Sequence, residues 1–95
     1  MPQTRVVHLR KEPYDTRIDR QTMFGNPFRI GPDGNRMEVI NKYNQWLRGE
    51  AFICFKQERK TLILQNLHHL KGKTLGCWCK PKPCHGDVLV KLIGE

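Results

Sequence analysis

The chain contains no run of about eighteen consecutive apolar residues, so a membrane-spanning helix is not expected. Its beginning, Met1 to Arg10, is polar and charged and lacks the apolar centre of a signal peptide. The glycosylation triplet Asn-X-Ser/Thr does not occur either, and the three absences together point to a chain that stays in the cytoplasm. Internal repeats and low-complexity tracts are missing, as are the phosphate-loop pattern G-x-x-x-x-G-K-[ST] and the dinucleotide fingerprint G-x-G-x-x-G, which removes the two commonest glycine-rich nucleotide signatures. Acids are scarce. Nine Asp and Glu stand against 17 Lys and Arg, and the resulting formal charge of +8 attracts phosphate-bearing partners over a distance. The competing reading is a basic rim that only keeps the domain in solution. With 95 residues there is length for a single domain and a modest core.

What is present divides the chain into short elements. Arg5 to Leu9 is β-branched and compact, and Tyr14, Thr16 and Ile18 alternate with charged residues, so two strands are expected around a turn at Glu12-Pro13. Met23 to Gly34 is dense in glycine and proline and reads as a loop with apolar anchors. Asn35 is a plausible N-cap with Glu38 three positions on, and Met37, Ile40, Tyr43, Trp46 and Leu47 share a helical face until Gly49. Phe52, Phe55, Leu62, Ile63, Leu67 and Leu70 continue at helical spacing, as one kinked helix or two short ones with a break in the polar stretch Gln57 to Lys60. Lys73 to Cys79 reads as a last strand, Lys80-Pro81-Lys82-Pro83 as a rigid connection, and Cys84 onward as a closing helix. The order suggests an α/β (α+β) domain: a small mixed sheet of about three strands covered by three or four helices, the last strand parallel to the first across a helical crossover.

Chemistry concentrates late in the chain. Alternation along a strand puts Cys77 and Cys79 on one face and Trp78 on the other, and Cys84 with His85 arrives at a helix start, where backbone N–H groups favour negative charge. Without an export signal these cysteines are thiols or metal ligands, not disulfides. Three readings follow. Cys77, Cys79, Cys84 and His85 have the donor count of a zinc site, although the spacing lacks the C-x-x-C knuckle and neighbours such as Cys84 and His85 rarely reach one ion; His8, His68 or His69 are possible substitutes. Alternatively Cys84 is a nucleophile activated by the helix start, Lys80 and Lys82, with His85 and Asp87 assisting. In the third reading the cysteines are small buried hydrophobes and His85 and Asp87 make ordinary contacts in the helix's first turn.

Phe24-Gly25-Asn26-Pro27-Phe28 fixes an asparagine that could read a base edge or sugar; its commoner role is to satisfy backbone within a turn. Basic residues cluster at Arg5, Arg10, Lys11, Arg17, Arg20 and Arg29 and again at Lys71, Lys73, Lys80 and Lys82, and the groups merge if the first and last strands are neighbours. Trp46 and Trp78 read as core.

The segments V-V-H-L-R-K-E-P-Y-D, F-G-N-P-F-R-I-G and L-G-C-W-C-K-P-K-P-C-H-G-D-V-L resemble the domain-of-unknown-function 4326 family of small phage and bacterial proteins. The resemblance spans nearly the whole chain except Glu50 to Leu70 and falls on Gly25, Asn26, Pro27, Cys77, Trp78, Cys79, Lys80, Pro81, Cys84, His85, Gly86 and Asp87. It implies a phage or prophage setting, hence the host cytoplasm, and a shared site, but no reaction. The leading expectation is a module binding nucleotide or nucleic acid through Gly25, Asn26, Arg10, Arg29 and Lys80, braced by zinc on the cysteine–histidine cluster. The alternatives are a nucleotide-directed enzyme using Cys84, and a protein that binds a host protein through Phe52 to Leu70.

Overall fold

The computed structural model describes residues 3–95. Three strands form its sheet: β1 (Arg5–His8), β2 (Thr16–Arg17) and β3 (Thr74–Cys77). β3 lies in the middle, parallel to both neighbours, with Arg5 opposite Thr74 and Thr16 opposite Leu75. The α+β class and strand number agree with expectation; both pairings are parallel, so the sheet is not mixed. Parallel pairing follows from connectivity, because a chain that leaves one strand and crosses over helices re-enters the sheet in the same direction.

The first helix, α1 (Arg36–Leu47), is held as its sequence suggests. The Glu38 N–H donates to Asn35 Oδ1 at 2.9 Å and the Asn35 N–H donates back to Glu38 Oε1 at 2.9 Å. This reciprocal cap satisfies two N–H groups that a helix start otherwise leaves unpaired. Val39, Ile40, Tyr43, Trp46 and Leu47 are buried, whereas Met37 lies outside the core, and Gly49 ends the helix at φ +72°. The second helix, α2 (Gln57–Asn66), is followed by a 3-10 turn, Leu67–Leu70. Gln57 to Lys60 therefore starts the helix and does not break one: Phe52 and Phe55 belong to the preceding loop, where Phe55 offers its carbonyl to Trp46 Nε1 at 2.7 Å.

The last strand is shorter than expected, ending at Cys77, and Trp78 leaves the sheet with 46% of its surface exposed instead of joining the core. Trp46 is fully buried, as expected. The third helix, α3 (His85–Gly94), opens on Cys84 as N-cap and lies so close to the sheet that a Cβ on Gly86 would come within 2.5 Å of Ile18 Cδ1 and 2.9 Å of Val6 Cγ2. Glycine at that position lets the helix start approach the ends of β1 and β2. Among the described residues no helix is long and apolar enough to cross a membrane.

Candidate functional site: a cysteine–histidine centre beside a basic cleft

Because all three strands run the same way, the segments that leave them gather at one edge of the sheet. Asp19 and Arg20 follow β2, Trp78 and Cys79 follow β3, and α3 begins beside them. Together with Asn26 and Arg36 they border a cleft of about 260 Å³ whose inner wall includes Cys77, Cys84 and His85.

The centre is built from two tight devices. Cys77 ends β3 facing inward, and Cys84 is fixed as the cap of α3: its N–H donates to Asp87 Oδ2 at 3.0 Å and its sulfur accepts from the Gly86 N–H at 3.4 Å. The two sulfurs meet at 2.7 Å, with Cys84 donating, and both residues are buried. His85 is buried too. Its Nε2 lies 2.6 Å from the Ile18 carbonyl, which can only accept, so Nε2 carries the proton; Nδ1 keeps its lone pair and lies 3.6 Å from Cys84 Sγ. Burial holds the imidazole below its ordinary pKa and therefore neutral. Cys77, Cys84 and His85 present ligand atoms all within 4.8 Å of one another, an arrangement able to hold a metal. Adjacent Cys84 and His85 reach the same point after all, because a helix cap has extended backbone while the next residue is already helical.

Cys79 is half-buried and borders the same cleft, but it is not among the residues whose ligand atoms all lie within 4.8 Å of one another. The neighbouring Cys77 and Cys84 thiols, followed by Arg36, lower its pKa and favour the thiolate. Cys84 is driven the opposite way, first by its hydrogen bond to Cys77, then by the nearby Cys79 and by burial. Cys77 is also raised, chiefly through its contact with Cys79. A thiol that is buried, donating and kept protonated has the reverse of a nucleophile's properties, which weighs against the attacking role considered for Cys84. Asp87, considered as its assistant, caps α3 and pairs with Lys80 Nζ at 2.6 Å.

The remaining expected residues are scattered. Asn26 borders the cleft, but its amide donates to the Val39 carbonyl at 3.0 Å and its oxygen accepts from the Phe28 N–H at 3.0 Å, the backbone-satisfying role. Gly25 lets the loop press on the chain after β2, since a Cβ there would meet Arg20 Cα at 2.7 Å. Arg10 lies over the Trp78 ring at 5.0 Å, Arg29 is exposed, and Lys80 is engaged with Asp87; none of the three borders the cleft. His8 accepts from the Arg10 N–H, and His68 stacks on His69 in the 3-10 turn, so the substitute ligands stand apart from the centre. In the segment considered for a host protein, Phe52, Ile53, Leu62 and Leu64 are exposed.

Sequence reasoning missed three residues. Arg36, in the first turn of α1, donates to the Pro83 carbonyl at 3.3 Å and borders the cleft with Cys79. Arg59 on α2 donates to the carbonyls of Thr22, Met23 and Gly25 at 3.0–3.2 Å and so holds the loop behind the cleft. Asp19 is buried while accepting from Arg17 and, at 2.9 Å, from Trp78 Nε1. Only long-range packing joins these residues to the cysteines, and no local spacing announces it.

The family model for the domain of unknown function DUF4326 matches residues 3–95, and the chain belongs to that family. It is 35% identical over 92 residues to a protein of Enterobacteria phage T4 described as an uncharacterized 12.4 kDa protein in the nrdA-td intergenic region, a match covering 96% of this chain and 78% of the phage protein. No solved structure gives a significant match.

Proposed function

We propose that this small phage-type member of the DUF4326 family is a non-enzymatic binding module that holds zinc on Cys77, Cys79, Cys84 and His85 and receives a phosphate-bearing ligand, nucleotide or nucleic acid, in the adjoining cleft. One observation carries the zinc half. The His85 Nε2–H is committed to the Ile18 carbonyl, so Nδ1 is aimed at the sulfurs as a lone pair. Metal-bound histidines characteristically have this outer hydrogen bond, which fixes ring and tautomer together. The donor set suits a soft, tetrahedral ion, with three sulfurs and one neutral imidazole. Sulfurs on a tetrahedral zinc stand about 3.8 Å apart at ordinary Zn–S distances, so Cys77 and Cys84 move apart by roughly 1 Å on metal uptake. Zinc here would tie the end of β3 to the start of α3 and reinforce a core limited by chain length. The phosphate half rests on the guanidinium groups of Arg20 and Arg36 at the same cleft.

Elemental analysis of protein purified without chelator should give one zinc per chain. His85→Gln and Cys77→Ser should each lower that stoichiometry, while Cys54→Ser, at an exposed thiol outside the centre, should not. A folded chain without stoichiometric metal ends the zinc reading. Phosphate binding is tested separately, by titrating the zinc-loaded chain at rising salt: the affinity should fall steeply.

A further inference from the structure

The two arginines at the cleft differ from six of the protein's other cations, which are engaged by a neighbouring side chain or by loop carbonyls. Arg5 pairs with Glu12, Arg17 with Asp19, Arg48 with Glu95 and Lys80 with Asp87; Arg10 lies on Trp78 and Arg59 is spent on loop carbonyls. Arg20 and Arg36 form no ion pair with a carboxylate among the described residues. Lys11, Arg29 and Lys82 are in no ion pair there either, so what marks Arg20 and Arg36 is that both border one cleft. Each is steadied by one backbone carbonyl, Phe28 for Arg20 at 3.5 Å and Pro83 for Arg36 at 3.3 Å, which leaves further N–H donors of each planar fork to other partners. The carboxylate that borders the same cleft, Asp19, is already neutralised by Arg17.

The rest of the lining combines the amides of Gln21 and Asn26 with apolar side chains. Ile30, Val39 and Ile40 line one side, and the half-exposed indole of Trp78, its Nε1 anchored on Asp19, lines another. A volume of about 260 Å³ lies just below the usual range of about 300–1,000 Å³ for organic-ligand pockets, which limits the occupant to one small molecule. From this charge, shape and size we infer that the cleft binds a single mononucleotide, its phosphate between Arg20 and Arg36 and its base against the apolar wall. The inference rests on the phosphate-ligand reading above and narrows it from nucleotide or nucleic acid to one nucleotide unit. Arg36 and Cys79 border the same cleft, so the cysteine cluster and the phosphate position share one wall.

The test is calorimetric titration of the full, zinc-loaded chain with each common 5′-mononucleotide, the matching nucleosides, inorganic phosphate and a single-stranded ten-nucleotide DNA. At least one mononucleotide should bind about tenfold or more tightly than both its nucleoside and inorganic phosphate, since each half of the ligand contributes. Arg20→Gln should lower that affinity about tenfold with zinc content and thermal stability unchanged. Binding of the DNA without binding of any mononucleotide overturns the inference but leaves the phosphate reading intact, and equal binding of nucleoside and nucleotide overturns it as well. If a zinc-loaded chain binds none of the phosphate probes, both readings fall together.

Discussion

Two clefts lie at opposite ends of the same three-stranded sheet, and the smaller one carries the chemistry. At the carboxyl ends of the strands, a space of about 260 Å³ gathers three cysteines, a histidine, two arginines and an aspartate. At the amino ends, a space of about 490 Å³ is bordered by Gln3, Thr4, Lys71, Gly72, Lys73 and the Val90, Ile93 and Gly94 end of α3. The difference follows from direction. Parallel strands release their following loops at one edge, and α3 adds the start of a helix there, so polar groups from distant parts of the chain converge. At the other edge the chain mainly closes on itself: the Gly72 N–H donates to Thr4 Oγ1 at 2.8 Å and the Lys73 N–H to the Leu70 carbonyl at 3.0 Å. Convergence of donors, more than volume, separates a site from a gap.

Stripping the metal is the strongest way to break the comparison. Because zinc ligation contributes folding free energy directly, removing zinc with a chelator should cost at least about 3 kcal/mol in urea unfolding. Replacing Lys71 and Lys73 together by Ala at the other end should change stability by no more than about 0.5 kcal/mol, as exposed substitutions usually do. If chelation leaves the unfolding midpoint where it was, the carboxyl-end centre has no privileged role in stability.

Helix α3 spans both ends and offers a smaller contrast inside one element. Gly86→Ala puts a Cβ 2.5 Å from Ile18 Cδ1, and overpacking of this kind costs about 1–3 kcal/mol. At Gly94 nothing lies within 4 Å, so Gly94→Ala should stay within about 0.5 kcal/mol of the parent. Comparable losses at the two glycines would show that the helix start is no more tightly seated than its end. Next in size is Arg59→Met, which removes the guanidinium from three loop carbonyls and should cost about 1–2 kcal/mol in the same assay. The larger consequence should be a loosened loop behind the cleft, read as faster amide exchange at Met23 and Gly25.

The sequence revealed elements whose causes are local and concealed contacts whose causes are distant. Asn35 and Glu38 announce α1 because a capping box needs only neighbours, and Cys77, Cys84 and His85 announce themselves by donor type. Trp78 was misplaced because alternation assumes that the strand continues, and β3 stops at Cys77. Gln57 to Lys60 looked like a break because polar residues in a helix's first turn resemble a loop until the fold shows which way they face. Arg10, Arg29 and Lys80 were grouped by charge alone, which says nothing about the Trp78 ring or the Asp87 carboxylate that engage two of them. Arg20 and Arg36 reach one cleft through the packing of α1 against α3 and the tie of Arg36 to the β3–α3 connection, a relation with no sequence period.

The smallest expected effect concerns acid, and it again divides the two ends. Asp19 is buried, which by itself raises a carboxyl's pKa, but hydrogen bonds from Arg17 and Trp78 and the charge of Arg17 outweigh burial and hold it below its ordinary value of 3.8. A folded-state pKa lower than the unfolded one means that the folded protein binds fewer protons, so Asp19 contributes stability fully above that ordinary value and loses it as pH falls through the folded pKa. Asp19→Asn should therefore be less stable than the parent at pH 7, and the gap should narrow steadily below pH 3.8. Both proteins release zinc as the thiols and imidazole protonate in acid, and because they are compared at each pH that shared loss cancels in the difference. The amino-end cleft has no Asp or Glu along its described lining, so the Lys71 and Lys73 double variant should track the parent through the same range. A gap for Asp19→Asn that is as wide at pH 3 as at pH 7 would mean that its hydrogen bonds count and its charge does not.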